Sequence, residues 1–147
     1  MKEEEEEKEK EKEKEKEKEI EVLINTCYGG WSISKKAKKI YESRKQTEID
    51  FWFEHSIKIR TDTLIIEIFK ELGDEFNGKH SNIEIEKISK KYDGYFYIHE
   101  YDGTETIEIN YAKYELNTLK NNINTILDNN NLTNDAKYSQ IKELTIL

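Results

Sequence analysis

Apolar positions recur along this chain at two alternating periods, and the switches between them mark out its elements. Residues 20–25, IEVLIN, form a short apolar run that stops before Gly29-Gly30, which predicts a buried strand. In residues 34–45, Ala37, Ile40 and Tyr41 form one helical face, with Ser32 or Ser34 as the cap. Ile49, Phe51 and Phe53 then alternate, followed by Ile57 and Ile59, so residues 49–59 read as strand, with a hairpin bend near His55. The clearest helix covers residues 61–78. Asp62 or Thr63 caps it, Leu64, Ile65, Ile68, Leu72 and Phe76 repeat at its period, and Asn77-Gly78 stops it. Gly73 inside it costs ~1 kcal/mol relative to Ala, which a close backbone approach would justify.

Residues 81–88 read as a strand, and residues 95–110 as a hairpin about Asp102-Gly103, the strongest short hairpin signal. Ala112, Leu116, Leu119, Ile123 and Ile126 lie on a long amphipathic helix, and Tyr138, Ile141 and Leu144 on a weaker last one. The order β-α-β-α-β-β-β-α-α predicts an α+β or α/β fold, with helices packed on a mixed sheet. Three regions follow: a Glu/Lys arm over residues 1–19, a core domain over 20–111, and a helical extension over 112–147.

Charge separates the arm from the rest. Residues 2–19 hold 11 Glu and 7 Lys, a net of −4, and the 147-residue chain carries −8, so the remainder is also −4. On a helix the strict Glu/Lys alternation makes i,i+4 neighbours alike and i,i+3 neighbours opposite, so the two effects cancel. With no apolar stripe, the arm reads as disordered or transiently helical. An acidic body argues against nucleic acid as a partner. No run of 18 apolar residues predicts a membrane span. A single cysteine fits an intracellular, reducing setting.

Two places have the makings of a site. In the hairpin, a two-residue Asp-Gly turn sets Phe96 opposite Ile109, Ile98 opposite Ile107 and Glu100 opposite Glu105. Like charges facing across a pair repel, so a cation, a basic residue, a raised pKa or exposure to water must compensate. With Asp102 nearby, Glu100, Asp102 and Glu105 make a candidate acidic site for an ion or for acid–base work; an exposed turn is the plainer reading. The second place is residues 24–34, INTCYGGWSIS, between a strand and a helix N-terminus. Amides there favour anions, and Gly29-Gly30 permits close approach of a ligand. Lys35, Lys36, Lys38 and Lys39 oppose the helix dipole unless an anion offsets them. Asn25, Gly29, Gly30, Trp31, Ser32, Ser34 and Arg60 are the candidate ligand-binding residues, Arg60 because its fork suits a carboxylate or phosphate. Arg60 is also placed to meet Glu100 or Glu105. A tight turn with a solvated lysine face is the plainer reading.

Cys27 lacks a histidine at a recognisable spacing and reads as a small buried hydrophobe. One cysteine and His55, His80 and His99 make no zinc pattern, and the cofactor is left open. Tyr95, Tyr97 and Tyr101 share a hairpin face with His99, suited to packing or to stacking a base.

Taken together these segments resemble a small family of proteins from phages, bacteria and large DNA viruses. The resemblance is carried by Asn25, Cys27, Tyr28, Gly29, Gly30, Trp31, Ile33 and Ser34; by Arg60 and Asp62; by Glu71, Leu72, Gly73, Asn77 and Gly78; and by Glu100, Tyr101, Asp102, Gly103 and Glu105. It covers residues 20–109 and departs at Thr63, where those chains have proline. It implies a viral or bacterial setting and no activity. The residues themselves point to a domain binding a small anionic, nucleotide-like ligand at the strand-loop-helix site. A metal-dependent enzyme on a phosphate-containing substrate, using the acidic hairpin, and a virion or interaction protein are the alternatives; catalytic residues and oligomeric state are left open.

Overall fold

A computed structural model describes residues 2–16 and 18–146. The fold class is α+β: seven α-helices accompany two separate two-stranded antiparallel sheets among the described residues. The contact pattern divides the chain into two units, residues 1–109 and 110–147.

In the first unit, α1 (Lys2–Lys16) is the Glu/Lys arm. Every side chain described on it is exposed, so local terms alone support it: opposite charges three residues apart, and Glu3, Glu4 and Glu5 at the positive end of the dipole. β1 (Glu19–Asn25) pairs antiparallel with β2 (Ile83–Ser89), Leu23 opposite Ile85 and Asn25 opposite Ile83. β3 (Phe96–Tyr101) and β4 (Thr104–Ile109) form the hairpin in the register expected of its turn, with Glu100 opposite Glu105. Asp102 and Gly103 at φ 50° and 86° are the two left-handed residues such a turn requires.

The β1–β2 sheet separates two apolar layers. On one face Leu23 and Ile83 join Ile33, Ala37, Tyr41, Ile59, Ile65, Ile68 and Phe76. On the other, Val22, Ile24 and Ile88 pack with Phe96, Ile98 and Ile107 of the hairpin. This alternation along β1 is the period of two that buries both faces of a strand. The strands therefore stack as two ribbons and do not merge into one mixed sheet, which corrects that part of the expectation.

A second correction concerns residues 49–59. They form two short helices, α3 (Phe51–Glu54) and α4 (Ile57–Thr61), with no strand. Asp50 caps the first, accepting from the Phe53 amide at 2.7 Å. Consecutive Ile59 and Arg60 are both buried, which a helix end allows and a strand with one covered face does not. α2 (Lys35–Lys45) is capped by Ser34, and α5 (Thr63–Leu72) by Asp62, which accepts from the Ile65 amide at 3.0 Å. α5 stops at Gly73, where φ is 55° and nothing lies near the missing Cβ. Left-handed backbone at the helix end, not close approach, accounts for that glycine. A 3-10 turn, Gly73–Phe76, follows. Asp62 also lies 3.4 Å from the Tyr41 hydroxyl. Asp62→Ala is expected to cost about 1 kcal/mol in urea unfolding, the worth of an N-cap.

In the second unit, α6 (Tyr111–Leu127), capped by Asn110, and α7 (Asn134–Thr145), capped by Thr133, pack against each other. Neither contains a buried residue. No helix among the described residues is long and apolar enough to cross a membrane.

Candidate functional site

The pairing of β1 with β2 decides the chemistry beside it. Thr26 donates its amide to the Asn82 carbonyl at 2.9 Å, in the same register. The even-numbered residues of β1 therefore bond to β2, and Leu23 and Asn25 turn their backbone groups to the other edge. A buried N–H or C=O there needs a partner. Two side chains supply it. Arg60 donates to the Leu23 carbonyl at 3.2 Å, and Glu105 accepts from the Asn25 amide at 2.7 Å. Arg60 and Glu105 grip each other through two bonds of 2.7 and 2.8 Å. Both residues are 6% exposed. The pair thus takes the place of a neighbouring strand: one member comes from α4, the other from β4, and together they close the open edge of β1.

The facing glutamates of the hairpin part company for the same reason. Glu105 turns inward to Arg60. Glu100 is exposed and accepts from the Gly103 amide at 2.5 Å, tying down the turn. Asp102 is exposed in the turn itself. Among the described residues no three His, Cys, Asp or Glu side chains are grouped to hold a metal ion.

Asn25, fully buried, binds the loop, the hairpin and the segment before β2 at once. Its Nδ2 donates to the carbonyls of Cys27 and Gly103, both at 2.7 Å, and its Oδ1 accepts from the Asn82 amide at 2.8 Å. The Cys27 sulfur lies 3.3 Å from that same Oδ1 and 3.1 Å from the His80 carbonyl. Gly29 and Gly103 pass backbone against backbone. A Cβ on Gly29 would stand 1.6 Å from the His80 carbonyl oxygen, and one on Gly103 2.3 Å from that of Tyr28. The close approach expected of Gly29-Gly30 is thus made by the protein's own chain. Replacing Asn25 by Asp leaves the Asn82 bond but aims a carboxylate at two carbonyls. We expect Asn25→Asp to lose about 3 kcal/mol in urea unfolding, from two half-buried acceptors left without donors beside a buried carboxylate.

Trp31 stacks on the ion pair, its ring centroid 3.5 Å from the Arg60 guanidinium carbon, and its indole N–H donates to the Glu54 carbonyl at 2.9 Å. Ser32 and Ser34 face elsewhere. The Ser32 carbonyl accepts from Gly78 and Ser81, and the Ser34 hydroxyl caps α2 and donates to the Glu75 carbonyl. Asn77-Gly78, beyond stopping a helix, crosses this loop: Asn77 bridges to Ile33, and a Cβ on Gly78 would meet the Ser32 hydroxyl at 1.9 Å. Of the lysines that oppose the α2 dipole, Lys36 pairs with Glu75 at 2.6 Å and Lys38 with Glu54 at 2.8 Å. The Lys36 bond holds the Glu75 carboxyl below its usual pKa. Carboxylates of the chain itself therefore offset part of the charge conflict.

No protein-family model, curated protein or solved structure matches the chain.

Asn25, the Gly29-Gly30 loop, Trp31, Arg60 and Glu105 converge, whereas Ser32 and Ser34 join the 75–81 segment. What the converging residues enclose is mostly each other. Beside them lies a cavity of about 330 Å³, walled by His55, Ser56 and Ile57, by Arg60 and Glu105, and by Tyr97, Ile98 and Glu100. His55, Ser56 and Ile57 were not among the candidates read from the sequence, because residues 49–59 read as strand. The Phe51-Trp52 pair was the available signal. Phe51 stacks on His55 with centroids 4.2 Å apart and meets Trp52 edge-on, yet the two stand 65% and 80% exposed.

The polar atoms of the cavity wall are unevenly committed. Both Glu105 oxygens face Arg60. The Tyr97 hydroxyl is bound to Glu108, and that bond raises its pKa, so the phenol keeps its proton. His55 Nδ1 lies 2.8 Å from the Phe51 carbonyl; a carbonyl only accepts, so that nitrogen carries the hydrogen and Nε2 of the neutral ring is an acceptor. Arg60 Nε is the one buried side-chain polar atom without a partner among the described residues.

Proposed function

We propose that the first unit is a small-ligand-binding domain and that its ligand sits in the cavity between the α3–α4 segment and the hairpin. The observation that carries this is the cavity itself, walled by the buried Arg60–Glu105 pair together with His55 and Glu100. The volume is at the small end of the range for ligand pockets, ~300–1,000 Å³. Phe51, stacked on His55 of the cavity wall, is exposed and provides flat apolar surface of the kind that covers a planar ligand.

Charge narrows the choice. Glu105 neutralises Arg60 and Glu100 adds a second carboxylate, so a bare phosphate is disfavoured inside. The ligand is nucleotide-like in the sense of a flat heterocycle bearing donors for Glu100 and His55 and an acceptor for Arg60, with any phosphate directed outward. The Gly29-Gly30 loop then serves to hold Arg60 in place and does not itself bind the ligand.

The test is thermal unfolding with nucleosides, nucleotides and inorganic phosphate, on the protein and on Ile57→Trp, which fills the cavity from an exposed position. Nucleosides at a hundredfold excess over their Kd should stabilise the protein by about 2.7 kcal/mol, and the shift should vanish in the variant. No shift with any nucleoside or nucleotide, or an undiminished shift in Ile57→Trp, would overturn the reading.

A further inference from the structure

The two edges of the β1–β2 sheet are treated differently. Arg60 and Glu105 close the edge of β1. The other edge, along β2, has no strand beside it among the described residues. The same register that frees Leu23 and Asn25 on β1 turns the backbone groups of Ile83, Ile85 and Lys87 outward on β2. Asn77 Oδ1 caps the Ile83 amide at 2.9 Å. Ile85 and Lys87 remain, each presenting an N–H and a C=O at the spacing of one more strand.

The side chains along this edge say what would fit it. Glu84 and Glu86 project from one face of the strand, and neither belongs to an ion pair among the described residues. Glu84 is exposed, Glu86 half-buried, and Ile85 on the opposite face is half-buried. A second copy of β2 does not fit. In an antiparallel self-pairing bonded through Ile85 and Lys87, the available registers set Glu84 against its own copy, Glu84 against Glu86, Glu86 against its own copy, or Lys87 against its own copy. Each places like charges directly across, which destabilises a pair. Glutamates on an edge strand guard it against self-association. They also make it selective for a strand of opposite charge.

We propose that the outer edge of β2 is a docking site for an extended basic peptide, added as a third, antiparallel strand. Its backbone bonds to Ile85 and Lys87. Lysine or arginine side chains at alternate positions face Glu84 and Glu86, and an apolar residue between them faces Ile85. This is recognition by strand addition, in which main-chain bonds give affinity and alternate side chains give specificity. It is independent of the cavity beside Arg60.

The experiment uses the full chain and fluorescently labelled hexapeptides: Lys-Val-Lys-Val-Lys-Thr, its Glu-for-Lys counterpart, and the lysine peptide N-methylated on alternate amides. Anisotropy should show salt-sensitive binding of the lysine peptide, about tenfold weaker binding of the glutamate peptide from the lost cross-strand pairs, and none of the N-methylated one. Amide exchange of Ile85 and Lys87 should slow on binding. Glu84→Lys/Glu86→Lys, changed at the strand surface, should reverse the preference between the two charged peptides. Binding of the N-methylated peptide as tight as its parent, no slowing at Ile85 and Lys87, unchanged preference in the charge-reversed protein, or concentration-dependent pairing of β2 with its own copy would each overturn the proposal.

Discussion

Glu105→Ala is expected to lower the stability of the first unit by about 3–5 kcal/mol, the cost of leaving one member of a buried ion pair without the other. Arg60→Ala should cost a similar amount. Small domains have only about 5–15 kcal/mol to lose, and each kcal/mol moves the melting temperature by roughly 4–8 °C at this size, so either variant should melt at least ~12 °C lower. The informative comparison is the apolar pair Arg60→Met/Glu105→Leu. Replacing an ordinary buried ion pair by packed hydrophobic residues is often neutral. Here it would also strip the Leu23 carbonyl and the Asn25 amide of their partners, at ~1–3 kcal/mol each. The double variant should therefore recover only part of the loss and stay ~2 kcal/mol or more below the parent in urea unfolding. Full recovery would mean that the pair does nothing for the strand edge.

The second large effect belongs to the glycines where the loop and hairpin tip pass their neighbours. Gly29→Ala drives a Cβ to 1.6 Å from the His80 carbonyl oxygen, and Gly103→Ala drives one to 2.3 Å from that of Tyr28. Neither obstacle is a side chain that swings away, so the backbone must shift, and overpacking of this kind costs ~3 kcal/mol or more. Gly103 adds the ~1–2 kcal/mol of a left-handed residue with a Cβ. Gly30→Ala is the control, since Gly30 has φ 86° with open space around it. It should lose only that conformational term. Unfolding followed by tryptophan fluorescence should rank Gly103→Ala and Gly29→Ala well below Gly30→Ala. Equal losses at all three would show that close packing of the loop is not what these glycines serve.

The hairpin register could be read in advance because a two-residue Asp-Gly turn leaves one pairing that aligns the apolar face. The conflict between Glu100 and Glu105 followed from it, and Arg60 was among the groups that could relieve it. The same reasoning failed at residues 49–59, where alternation over five residues outweighed the cap at Asp50. With that segment taken as strand, His55, Ser56 and Ile57 could not be set beside Tyr97, and the cavity stayed hidden. The mixed sheet failed for a different reason. Apolar pattern tells which faces of β1 are covered, but not whether its edge meets a backbone or two side chains standing in for one. The lysines of α2 suggested a bound anion, while Glu54 and Glu75, 16 and 39 positions from Lys38 and Lys36, reach them only through the fold.

A guanidinium–carboxylate pair replaces a neighbouring strand for β1 and ties the hairpin to the body. Hydrogen exchange at the Asn25 amide reads this out, because in the fold that N–H has a single partner, the Glu105 carboxylate. In the parent protein this amide should exchange only through global unfolding, as slowly as the amides of Val22 and Ile24 that bond to β2. In Glu105→Ala it should exchange many times faster than those two, by local opening of the edge. If the Asn25 amide of the parent already exchanges like an open strand edge, while Val22 and Ile24 stay protected, the pair does not close β1 and the account is wrong.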